Sequence, residues 1–103
     1  MTFVKAAKVS DIPEGKMRMV TVSGEDVCLI NSGGKFYAVE ELCTHEDGPM
    51  HEGHIEDGKV VCPWHYAKFD IESGKADPET DWATRDLKTF KVKVEGEDVL
   101  VEV

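Results

Sequence analysis

The chain has 103 residues, 41% hydrophobic and 32% charged, with 21 Asp and Glu against 12 Lys and Arg. That length fits one domain over 1–103, and the composition is that of a folded protein rather than a disordered one. The formal charge of −9 disfavours nucleic acid as a partner, because such binding draws on cationic neutralisation of phosphates.

From the amino terminus, Met1-Thr2-Phe3-Val4-Lys5 lacks the basic stretch and apolar core of a secretory leader, so a cytoplasmic location is expected. No apolar run approaches the ~18 residues that cross a bilayer, so no membrane segment is expected either. Turn residues divide the sequence into short strands expected over 2–9, 17–22, 27–31, 36–40, 59–62, 68–71, 88–94 and 99–103. Asp11-Ile12-Pro13-Glu14-Gly15 reads as a loop with room for a helical turn. Ser32-Gly33-Gly34 joins the third and fourth strands as a hairpin, glycine supplying positive φ. Further turns are expected at Glu56-Asp57-Gly58, Glu72-Ser73-Gly74 and 95–98. Phe90, Val92 and Val94 alternate with charged residues, the period of a half-buried strand. With no long amphipathic helix anywhere, the fold class expected is all-β.

The three cysteines are too few for a disulfide-stapled scaffold. Cys28 lies inside the apolar run Val27-Cys28-Leu29-Ile30 and is expected to be an inert core residue. The other two each have a histidine close by. Cys43-Thr44-His45 follows one expected strand, and Cys62-Pro63-Trp64-His65 ends another. Sixteen residues separate the two pairs, and Gly48, Pro49, Gly53 and Pro63 flank them. Each pair offers one thiolate and one imidazole, donors that suit iron–sulfur centres and zinc alike. Two such loops facing each other would pinch one metal centre between Cys43, His45, Cys62 and His65.

His51 and His54 stand too far from either cysteine to join that set, and a structural or solvent-facing role is expected for both. Met50 is expected to pack in the same loop. Between positions 40 and 57 there are seven acids (Glu40, Glu41, Glu46, Asp47, Glu52, Glu56 and Asp57) and no Lys or Arg. Such a run is either a solvated face or a docking surface for a basic partner protein.

The paired motifs, the approach Gly58-Lys59-Val60-Val61 before Cys62, the following Phe69-Asp70 and Ser73-Gly74, and the strands over 90–103 resemble the Rieske family. The resemblance is to its small ferredoxins, which serve ring-hydroxylating dioxygenases, and it covers nearly the whole chain. It implies stacked antiparallel sheets, with a small cluster-binding lobe built from two loops within about 41–84. It implies one [2Fe-2S] cluster, Cys43 and Cys62 on the inner iron and His45 and His65 on the outer. It also implies an electron carrier rather than an enzyme, taking electrons from an NAD(P)H-dependent flavoprotein reductase and passing them to a terminal oxygenase that docks near His45 and His65. A monomer is expected.

Relatives of high potential carry an extra disulfide-forming cysteine in each loop, at positions that match Gly48 and Trp64 here. They also carry a serine and a tyrosine that donate hydrogen bonds to sulfur, where this chain has Ala67 and Phe69. Such hydrogen bonds favour the more negative reduced state, so losing them places the potential toward the ~−150 mV end of the Rieske range. A proline-rich segment usually covers the cluster in this family; here 78–83 holds Pro78 alone, with Trp64 and Trp82 either shielding the centre or serving as ordinary aromatics.

Three rival readings follow from the same residues. A Cys₂His₂ zinc module has the right donors, but its usual arrangement pairs like with like. A histidine-activated cysteine nucleophile needs only one Cys/His pair. A Cys43–Cys62 disulfide would leave both histidines without a role. Within the family, the alternative is the small subunit of a nitrite reductase or related oxidoreductase. A catalytic oxygenase subunit would need a further mononuclear-iron domain, for which this chain has no room.

Overall fold

The computed structural model describes residues 2–42, 49–63, 67–77 and 86–102. Among these residues ten strands run β1 (Phe3–Lys8), β2 (Met17–Val22), β3 (Glu25–Ser32), β4 (Lys35–Glu40), β5 (His54–Glu56), β6 (Lys59–Val61), β7 (Lys68–Asp70), β8 (Thr89–Phe90), β9 (Val92–Glu95) and β10 (Asp98–Glu102). They form three antiparallel sheets, ordered β1-β10-β9, β2-β3-β4-β8 and β5-β6-β7. Two short 3₁₀ turns, Val9–Asp11 and Met50–Glu52, are the helical elements among the described residues. The expected all-β class of stacked antiparallel sheets is what the chain adopts.

The run Val27-Cys28-Leu29-Ile30 explains the stacking. Successive side chains of a strand point to opposite faces, so a strand apolar at every position must be covered on both. Cys28 and Ile30 pack into one core with Met50, Val60, Cys62, Ala67 and Phe69, and so face the β5-β6-β7 sheet. Val27 and Leu29 pack into a second core with Ala7, Val99 and Val101 from the β1-β10-β9 sheet. β4 divides in the same way, with Val39 in the first core and Ala38 in the second. The four-stranded sheet is therefore the middle layer, and its far side supports the small sheet that carries Cys62.

The hairpin at Gly33-Gly34 is a two-residue turn between the paired residues Ser32 and Lys35. Both glycines have positive φ, the combination that matches the twist of paired strands. Three expectations need correction. The stretch 88–94 is not one strand: β8 pairs with β4 and β9 with β10, and the chain passes between sheets at Lys91. A single alternating sequence serves both sheets, since the period of two continues through the crossing. β5 was not expected, because its only apolar residue is Ile55. The helical turn falls at Val9–Asp11, before the Pro/Gly segment, where the Lys8 N–H donates to the Asp11 carboxylate at 3.0 Å.

Candidate metal centre

Cys62 directly follows β6 and is fully buried in the core shared with Ala67 and Phe69. Its N–H donates to the Ala67 carbonyl at 2.8 Å, so the chain on either side of 64–66 is tied together. The chain around 43–48 is tied likewise. Leu42 and Pro49 form an antiparallel bridge, and the Met50 N–H donates to the Glu41 carbonyl at 2.7 Å. Around 78–85 the Ala76 N–H donates to the Asp86 carboxylate at 2.8 Å, and the Leu87 N–H to the Gly74 carbonyl at 2.7 Å. All three stretches expected to surround a centre thus leave and rejoin the sheets through hydrogen-bonded residues. Cys43, His45, Gly48, Trp64, His65 and 78–83 lie outside the described residues.

Glycine brings the first two stretches together. A Cβ on Gly53 would lie 1.8 Å from the Val61 carbonyl oxygen, and only a residue without one fits against the strand that delivers Cys62. Gly74 is held as closely, where a Cβ would meet the Leu87 oxygen at 2.3 Å and φ is +76°. The turn before it is fixed by Asp70, whose Oδ1 accepts from the Glu72 and Ser73 N–H groups at 2.9 Å each. The Ser73 N–H is the largest influence on this carboxyl; with the Glu72 N–H, the Ser73 hydroxyl and nearby Lys59 it lowers the pKa, against a smaller opposing effect of burial.

Cys28 is fully buried; burial first, and the charge of Glu41 second, push its thiol well above its ordinary pKa, as an inert core residue requires. Met50 is buried in the core beside Cys62. His54 is exposed, while His51 is half-buried and paired with Glu41. Glu41 corrects the reading of the acidic run: at 4% exposed it belongs to the interior. Glu52, Glu56 and Asp57 do face solvent. Glu40 accepts from the Lys88 N–H at 2.6 Å, and Glu56 pairs with Lys68 at 3.1 Å. The Glu41–His51 pair went unnoticed in the sequence. Its one signal there was an acid and a histidine flanking the same Cys/His motif.

Cys62 thus sits with Ala67 and Phe69 in the core between the middle sheet and the β5-β6-β7 sheet. The Rieske [2Fe-2S] domain matches residues 2–91. The chain belongs to the Rieske [2Fe-2S] family, whose cofactor is one [2Fe-2S] cluster. It is 38% identical to the biphenyl 2,3-dioxygenase ferredoxin component of Rhodococcus jostii (strain RHA1), over all of this chain and 94% of that one. The ferredoxin of carbazole 1,9a-dioxygenase from Nocardioides aromaticivorans IC177 superposes with a TM-score of 0.88 at 25% identity, covering 98% of this chain and 97% of that one. A second ferredoxin, solved in complex with the reduced oxygenase of carbazole 1,9a-dioxygenase, gives a TM-score of 0.86 at 29% identity over 96% and 91% of the two chains. Among the described residues no helix is long and apolar enough to cross a membrane.

Cys62, the described donor, fits the family's cofactor. Thiolates are soft ligands suited to iron–sulfur units, and Cys62 presents its sulfur in an apolar, closely packed interior rather than in water. Family membership favours iron–sulfur chemistry over the zinc module.

Proposed function

We propose that this chain is a cytoplasmic, monomeric, low-potential one-electron carrier. It takes electrons from an NAD(P)H-dependent flavoprotein reductase and delivers them to a terminal oxygenase of the ring-hydroxylating type. It is a single domain whose cluster-binding part lies within about 41–84. Cys43 and Cys62 hold one iron, and His45 and His65 the other. When bound, the [2Fe-2S] cluster supplies a one-electron redox centre. The chain's own residues set its properties. Cys62 contributes a thiolate from the dry core, its backbone fixed through the Ala67 carbonyl. Ala67 and Phe69 are buried without a hydroxyl, so neither donates a hydrogen bond to sulfur, and the reduced state lacks that stabilisation. Both partners dock near His45 and His65.

The full-length likeness to named ferredoxin components carries this reading. Its experiment is reduction of the holoprotein by NADH and a flavoprotein reductase, followed by mixing with an oxidised ring-hydroxylating oxygenase. One electron per chain should pass from the carrier, with substrate oxidation dependent on its presence. Failure to be reduced, or reduction with no reoxidation by any oxygenase of the class, would refute the role.

A further inference from the structure

Glu41 is an acid in the interior, and the electron-carrier reading has no use for it. Its side chain is 5% exposed, and among the described residues its acceptors meet one short piece of chain. The Glu41 carbonyl accepts from the Met50 N–H at 2.7 Å, and its Oε1 accepts from the His51 N–H at 3.2 Å. Oε2 pairs with the His51 ring at Nδ1. That contact and the backbone bond beside it hold the ring in one orientation. Glu41 also donates its own N–H to the Asp26 carbonyl at 3.3 Å, which ties it to the start of β3.

The position of this knot gives it meaning. Glu41 stands two residues before Cys43, and His51 two after Pro49, the residue bridged to Leu42. Between Pro49 and His51, Met50 is fully buried in the core that holds Cys62. The knot therefore joins the chain on both sides of the first Cys/His pair to the interior around the second. The charge on Glu41 acts inside that interior too, since it is felt at the Cys28 thiol.

We propose that Glu41 and His51 are positioning residues for the cluster: Glu41 clamps the first ligand-bearing stretch in register with Cys62, and His51 locks the clamp. The proposal rests on the ligand assignment above. Partners that orient ligands without touching the metal typically change metal affinity by about 10–100-fold when removed. Removing the His51 ring leaves a buried carboxylate short of a donor, while the rest of the fold is undisturbed because His51 is half-exposed.

The test uses holoprotein and four variants. His51→Ala should lose iron to EDTA about tenfold faster than wild type, with a broadened EPR signal in the reduced state. His51→Gln, which keeps a side-chain N–H donor for Glu41, should restore most of the slow release; His54→Ala, on the exposed neighbour, should behave as wild type. Glu41→Gln removes a negative charge and should raise the midpoint potential at fixed pH, a readout that mere loop packing would leave unmoved. Wild-type release and an unaltered signal in His51→Ala, or an unchanged potential in Glu41→Gln, would overturn the proposal while leaving the ligands intact. A wild-type protein with no Rieske-type signal would overturn the ligand assignment itself, and this proposal with it.

Discussion

Gly53 packs so tightly on Val61 that a side-chain carbon would stand 1.8 Å from the Val61 oxygen. Backbone meets backbone at this contact, and it joins the chain leaving the first Cys/His stretch to the strand entering the second. A methyl group there has nowhere to go, since the Met50 oxygen lies 3.3 Å away on another side. Gly53→Ala should destabilise the protein by about 3 kcal/mol, at the upper end of overpacking costs, and lower the iron content per chain. Urea denaturation and iron analysis check this; wild-type values of both would contradict it.

Cys28 makes stability depend on alkaline pH. Its thiol keeps its proton to higher pH in the folded chain than the ordinary value of about 8.5, because of burial and then the charge of Glu41. Above that value unfolding releases a proton, so stability falls as pH rises, by about 1.4 kcal/mol per unit. Below it both states hold the proton and the slope vanishes. Denaturation curves between pH 8 and 10 should show this excess slope for wild type over Cys28→Ala. Equal slopes would mean that the thiol is not sealed in the core.

Phe69 is fully buried with Cys62 and Ala67. Phe69→Tyr places a hydroxyl at the position where relatives of high potential carry one. A hydrogen bond to sulfur worth about 1.4 kcal/mol more in the reduced state raises a one-electron potential by about 60 mV. Redox titration of the variant should give an upward shift of that size. A potential equal to or below wild type would remove Phe69 from the account of low potential.

These residues also show how far the sequence could be read. The two Cys/His pairs stand out in the sequence because spacing is a local property of the chain, and their ligand roles are the proposal made above. The strands were legible for a similar reason, since a period of two or an apolar run survives without its neighbours. Lys91 was not: a crossing between sheets leaves the alternation of Phe90, Val92 and Val94 intact, and only pairing partners reveal it. β5 was hidden because His54 and Glu56 face solvent around a single apolar residue. Glu41 was misread for a stronger physical reason. Acids are almost never buried unless paired, and its partner lies ten residues along the chain, so composition placed it outside.

The central claim is that two histidines and two cysteines share one [2Fe-2S] cluster. EPR spectroscopy of the reduced protein, with His45→Ala and His65→Ala measured beside wild type, tests it most directly. The account predicts a Rieske-type signal in wild type and its loss in each variant. A signal retained in either variant would contradict the claim.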